Sequence, residues 1–312
     1  MRSADRTWKP ANRPTSDPGN RQGKMGPQEA KLIQSLVSLV RKCLEDYDKY
    51  TLLDDRDKIL CQLKEINSPS IQRLQRCEEM CTEKERYQRI VQKGASPFEC
   101  DIETGDVSHE MMVKQYARSA ADQERPLPHE LRSERIMNNA MCYLLHNVLD
   151  EFPESPEQRA AWYNFLWNRT RALRKEVTQL SLSDALALNL VERCTRLHIL
   201  FGYVLCDLET EHFDAAMNNE TLGKCLQTLR HFYEDFEKRR IPCVNEAEFR
   251  SYDVMLHMND TNILSQVLSY RGEVRQSQSV RLSLQLASAF QIRITTASSV
   301  YSKHKHPIYN AV

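Results

Sequence analysis

From Ser133 to about Phe290 the apolar residues of this chain return every third or fourth position, and beyond Pro156 only Pro242 interrupts them. That spacing gathers apolar side chains on one stripe of a helix, whereas a half-buried strand would alternate them. Ile136, Met137, Ala140, Met141, Leu144, Leu145 and Val148 mark a first helix, ended by Pro153 and Pro156. A second is expected from about Glu157 to Leu180. A third opens at the N-cap signal Ser183-Asp184 and carries Leu190, Val191, Cys194, Leu197, Phe201, Val204 and Leu205. A fourth, from about Asn218, aligns Leu222, Cys225, Leu226, Leu229, Phe232, Tyr233 and Phe236. Asn245-Glu246-Ala247-Glu248 has the spacing of a capping box for a fifth, and Thr261 and Ser279 stand where they would cap a sixth and a seventh. Short connections make consecutive helices antiparallel neighbours. The expected fold is all-α, an irregular solenoid of helical hairpins without a fixed-period repeat. Such a stack offers an extended binding surface and no obvious catalytic pocket.

Upstream the pattern differs. Residues 1–28 are polar and proline-dotted and predict a disordered leader. Residues 29–66 predict an amphipathic helical segment, with Leu32, Ile33, Leu36, Leu39, Val40, Cys43 and Tyr47, then Ile59, Leu60, Leu63 and Ile66, broken near Leu53-Asp54-Asp55. The main helical domain is placed at 67–290. Within it, Ser96-Pro97 and Arg125-Pro126-Leu127-Pro128 predict an extended stretch from Gly94 to about Leu131, because a residue preceding proline is driven out of the helical region. Residues 291–312 are β-branched and basic, without an acid, and read as a divergent tail.

Lys and Arg total 43, as do Asp and Glu, so any nucleic-acid contact must come from a local patch. No apolar run approaches the roughly 20 residues of a membrane span. With no hydrophobic signal core, the ten cysteines read as buried thiols in a reducing compartment, nuclear or cytosolic. Phosphate-loop, dinucleotide, nucleophile-elbow and zinc-protease motifs are missing, so no catalytic residue, metal or cofactor is predicted. His129-Glu130 lacks the second histidine of a zinc motif. Cys77 and Cys81 lack a second Cys/His pair. Cys194 and His198 share a helix face, as a nucleophile and base would, but on an apolar stripe where core residues are the better reading. One charge feature survives: Arg159 to Lys175 contains no acid. Arg171, Arg174 and Lys175 can share a face, and with Arg169 and Trp167 they are candidate RNA contacts, cations for phosphates and an indole for a base. The competing reading puts Trp162, Phe165, Leu166 and Leu173 in the core and pairs the arginines with acids on neighbouring helices.

Longer strings add a resemblance. CEEMCTEKERYQR (Cys77–Arg89), VKQYARSAADQERPLPHELR (Val113–Arg132) and WYNFLWNRTRALRKEVTQ (Trp162–Gln179) resemble, in order, segments of the SAC/GANP family. ERCTRLHI, NNETLGKCLQTL and NEAEFRSYDVML are similar to its later helices, and the export branch of the family is matched better than its shorter centrosomal branch. Glu78 and Thr82 stand where the family usually has prolines. The resemblance implies tetratricopeptide-like hairpins leading into a PCI-type helical domain, with the family's winged helix missing after Phe290. It implies a non-enzymatic scaffold of messenger-RNA export at the nuclear pore and envelope, with a cytoplasmic or centrosomal pool. A PCI-fold protein and a small acidic Sem/Dss protein are the partners implied, together with RNA. Centrin and Sus/ENY-type partners are not expected, because their binding region has no counterpart. The alternative is a role at the centrosome or spindle. Cys77, Met80, Cys81, Glu83, Arg86, Arg118, Asp122, Gln123, Pro128, His129 and Glu130 are the family-signature residues, expected to be structural.

Overall fold

The structure is a computed structural model and describes residues 26–38, 45–118, 126–260 and 262–289. The expected leader, the divergent tail and the Thr261 cap lie outside these residues. The helices are α1 (Pro27–Ser38), α2 (Asp46–Glu65), α3 (Pro69–Gln72), α4 (Glu83–Val91), α5 (Glu134–Tyr143), α6 (Pro156–Gln179), α7 (Ala185–Val204), α8 (Ala215–Lys238), α9 (Glu246–Leu256), α10 (Ile263–Leu268) and α11 (Gly272–Arg275). A twelfth, α12, spans 278–289. Among the described residues there is no strand, only isolated bridges at Cys77–Arg132 and Cys100–Val107. The protein is all-helical.

Side-chain contacts show consecutive long helices running antiparallel. Trp162 stacks edge-on against Phe201 while Thr170 lies by Cys194, which reverses α7 on α6. His198 meets Asn218 and Glu192 meets Tyr233, reversing α8 on α7. Leu256 lies beside Gly223 and Asp253 holds Arg230, reversing α9 on α8. The apolar stripes read from the sequence meet in one core that runs from Met137 through Trp162, Leu190 and Leu226 to Phe249.

The starts of these helices have local causes. Pro156 occupies the first turn of α6, where its missing N–H costs nothing, and Ser155 Oγ accepts from Gln158 N at 3.2 Å. Asp184 caps α7 by accepting from Ala187 N at 2.9 Å. The ends share a device that composition hides. Asn67, Lys93, Ser181 and Arg240 all adopt φ between 51° and 57°, just beyond α2, α4, α6 and α8. In each case the next residue's N–H closes back onto the helix: Ser68 to Leu63 O, Gly94 to Arg89 O, Leu182 to Val177 O and Ile241 to Phe236 O. None of the four is glycine, the residue that usually takes this conformation.

Four expectations need correction. α2 runs unbroken through 53–55: Leu53 is buried, and Asp54 pairs with Lys58 and Lys84 on the other side. α8 starts at Ala215 rather than Asn218, because Asp214 accepts from Met217 N. The capping box at Asn245 does not form; the Asn245 amide donates to Glu192 at 2.7 Å, and Glu248 is held by Arg196. Ser279 lies inside α12, and it is Ser277 Oγ that faces Val280 N.

Candidate functional site

Between α4 and α5 the described residues, 92–118 and 126–133, hold no α-helix, only two 3-10 turns that open at Pro97 and Pro128, and they are pinned by a cysteine strap. Cys77 N donates to Leu131 O (2.8 Å), Ser133 N to Cys77 O (2.9 Å), and Lys114 N to Met80 O (2.9 Å). Residues 77–80 therefore lie between two distant stretches of chain. Beneath the strap sits a buried ionic network. Glu99, 0% exposed, accepts from Arg89 at 2.9–3.0 Å, from Arg169 at 3.2–3.3 Å, and from Val113 N and Ser96 N. Beside it Glu176, 1% exposed, accepts from Arg132 Nε (2.7 Å) and Lys114 Nζ (2.6 Å). Burial works against the Glu176 carboxylate. For Glu176 the Arg132 and Lys114 charges win and hold its carboxyl below the usual range. Burial lowers Arg169, with the Arg89 charge alongside adding to the fall. These pairs tie α4, the strap and α6 into one unit.

The family-signature residues fall around this unit. Cys81 is 1% exposed, its sulfur 3.7 Å from Arg89 Nη2, and burial pushes its thiol up. Cys77 is half-buried and donates weakly to Glu79 O. Met80 packs against the main core. Arg86 binds Glu79 and Cys81 O, whereas Glu83 is exposed in the first turn of α4. Pro128 opens a single 3-10 turn in which Glu130 accepts from Leu127 N (2.7 Å) and His129 meets Asp57 of α2 (2.9 Å). Arg118 is exposed, while Asp122 and Gln123 lie outside the described residues. Met80, Cys81 and Arg86 thus pack into the part that the network holds, whereas Glu83 and Arg118 face outward.

The basic stretch of α6 divides in two. Arg169 is 4% exposed and committed to Glu99, so it is withdrawn from the candidate RNA face. A signal for this existed: Arg169 continues the stripe Trp162, Phe165, Leu166, Leu173 at helical spacing. Trp167, Arg171, Arg174 and Lys175 instead line a cleft of ≈ 390 Å³ between α6 and α8, joined by Tyr116 from the extended segment and Lys224 from α8. Arg171 lies over the Tyr116 ring at 3.9 Å and the Trp167 ring at 4.9 Å. Sequence reasoning missed Tyr116, Lys224, Glu99 and Glu176, none of which carries a local mark of its role.

Cys194 and His198 do not form a nucleophile and base. The Cys194 sulfur faces the Thr170 carbonyl at 4.0 Å within the core, and burial pushes its thiol up to about 12. His198 Nδ1 is bonded to Asn218 at 2.9 Å, and burial holds the imidazole down to about 4. Among the described residues no three His, Cys, Asp or Glu side chains converge as a metal set, and no helix is long and apolar enough to cross a membrane.

The SAC3/GANP family model matches residues 80–305. The chain belongs to the SAC3/GANP family. It is 39% identical over 247 residues to Protein xmas of Drosophila melanogaster, covering 78% of this chain and 12% of that protein. It is 34% identical over 216 residues to SAC3 family protein 1 of Schizosaccharomyces pombe, covering 69% and 20%. With SAC3 family protein B of Arabidopsis thaliana it shares 29% identity over 285 residues, covering 84% and 16%. The chain therefore spans between about an eighth and a fifth of the relatives it matches. The SAC3/GANP match contains the network and the cleft whole and runs past Phe290, where the motif resemblance stops.

Proposed function

We propose that this SAC3/GANP domain is a non-catalytic helical scaffold of nuclear messenger-RNA export. It holds a PCI-fold partner and a small acidic Sem/Dss-type protein and contacts RNA through the outer face of α6. Membership of the family over 80–305 is the observation that carries the reading. The chemistry of the interior supports it. Buried Glu99 and Glu176 join distant chain segments, and the cleft between α6 and α8 is basic and aromatic. Arg171, Arg174, Lys175 and Trp167 supply the RNA contact, without Arg169.

Co-expression of the chain with a PCI-fold partner and the Sem/Dss protein tests the scaffold. A complex that co-migrates in gel filtration at micromolar concentration is the expected outcome, and separate elution would sink it. Imaging the tagged chain tests the setting. Signal at the nuclear rim is expected, and accumulation at spindle poles would move the protein to the centrosomal role.

A further inference from the structure

Arg171 is held in place without being neutralised. Its guanidinium stands over two aromatic rings and donates to the Tyr116 hydroxyl at 3.3 Å. Ring faces attract a cation but bring no counter-charge. Neither Arg171 nor Arg174 pairs with a carboxylate among the described residues, although Arg169 and Arg196 on the same hairpin do. Across the cleft, Lys224 adds a further cation from α8. Among the described residues the one acid in the lining, Glu220, pairs with it in an exposed geometry that contributes little. The cleft is thus a cationic slot with apolar lining from both helices, the Trp167 indole of α6 and the Met217 thioether of α8. A volume of ≈ 390 Å³ suits one small ligand or one unit of a polymer. An A-form duplex shows proteins its shallow groove and backbone, and its bases are not splayed to enter such a slot.

We infer that the α6–α8 cleft is a single-nucleotide site, in which a phosphate sits on Arg171 and Lys224 and an unstacked base lies against Trp167 and Met217. This deepens the RNA reading above and rests on it. The shared chemistry is a nucleoside phosphate, supplied as a free nucleotide or as one unit of a single strand. A guanidinium held beside an indole favours this ligand over a phosphopeptide, which offers a phosphate but no flat base.

The test uses the full chain and a fluorescent 5′-phosphorylated single-stranded oligonucleotide, with anisotropy read across a salt series. The single strand should bind at least about tenfold more tightly than a duplex of equal length, in line with loss of base stacking. Arg171→Gln and Lys224→Glu should each weaken binding and lower the salt slope by about one. Displacement by adenosine monophosphate assigns the site to free nucleotides. Displacement only by unlabelled oligonucleotide assigns it to a strand. Equal affinity for duplex overturns the inference, as does an unchanged salt slope in variants whose thermal melts match the parent. Displacement by a phosphoserine peptide as effective as the oligonucleotide overturns it in favour of a phosphopeptide. The same two variants should still capture the PCI-fold partner, so nucleotide binding that fails while capture persists sinks this site and leaves the scaffold standing.

Discussion

Glu99→Ala should be among the most damaging single substitutions in this domain, and the structure sets the scale. The carboxylate is completely buried and serves four donors: two guanidinium groups and the backbone N–H groups of Ser96 and Val113. Breaking a buried ion pair from one side costs about 3–5 kcal/mol, because the surviving charge stays desolvated and unpaired. Arg89 keeps a distant partner in Glu85 at 3.7 Å, which softens the loss on its side. Among the described residues Arg169 pairs with no second carboxylate, and the N–H groups of Val113, buried, and Ser96, half-buried, lose their acceptor as well. A cost of at least about 4 kcal/mol follows, a large part of the roughly 5–15 kcal/mol that stabilises a typical domain. For a chain of 312 residues that lowers Tm by roughly 6 °C. Urea unfolding followed by circular dichroism would measure it, with the slope checked for constancy. Glu99→Met combined with Arg89→Met and Arg169→Met should cost far less than Glu99→Ala alone, since the whole ionic set is then replaced by packed apolar groups. A Glu99→Ala cost below about 1 kcal/mol, or a triple variant worse than the single, would refute the argument that pairing inside the network is what makes these charges tolerable.

Other expectations follow from single contacts. His198 stays neutral in the fold down to about pH 4, whereas the unfolded chain takes up its proton near 6.5. Stability should therefore fall by up to about 3 kcal/mol as pH drops through that window, and His198→Gln should remove that component; identical urea midpoints from pH 7 to pH 4 in both proteins would exclude it. Alkylation with iodoacetamide, read by mass spectrometry on the native chain, should mark exposed Cys61 and Cys206 first and reach buried Cys81, Cys194 and Cys225 only on unfolding. Fast native labelling of Cys194 would revive the nucleophile reading. Asn245→Asp, harmless if Asn245 were a cap, should destabilise by roughly 1–3 kcal/mol because it sets a second carboxylate against buried Glu192; a gain in thermal stability would restore the cap. Lys93→Gly and Arg240→Gly relieve left-handed backbone at the ends of α4 and α8. Each should raise stability by up to about 1 kcal/mol in denaturant unfolding, and a loss would show that the side chains matter more than the φ angle.

Much of the helical layout was legible in the primary structure because helix formation and facing are local. A period of 3.6 residues fixes which side chains share a stripe, so Trp162, Phe165, Leu166 and Leu173 could be placed together before any fold was known. Asp184 at the start of α7 is equally local, since a cap acts within one turn. Helix ends were less legible: Lys93, Ser181 and Arg240 are not glycine, yet each takes the left-handed conformation while the next residue's N–H closes back onto the helix. Asn245 and Glu248 form a capping box on paper, but Glu192 and Arg196 on α7 compete for the same groups and win.

Periodicity already sets Arg169 on the apolar stripe, but which partner meets each arginine was decided only by tertiary structure. Arg169 and Arg171 are two residues apart on one helix, and nothing in their own chemistry tells them apart. Arg169 is buried because Glu99, 70 positions earlier, is carried to it by the segment after α4, which Met80 O holds at Lys114 N. Arg171 stays at the surface because Tyr116, 55 positions away, supplies a ring and not a carboxylate. Helical periodicity is a property of the chain read over a few turns, and it set the all-helical class by itself. The partner of a charge is a property of where distant segments meet, and the cost of desolvating an unpaired charge makes that meeting point decisive.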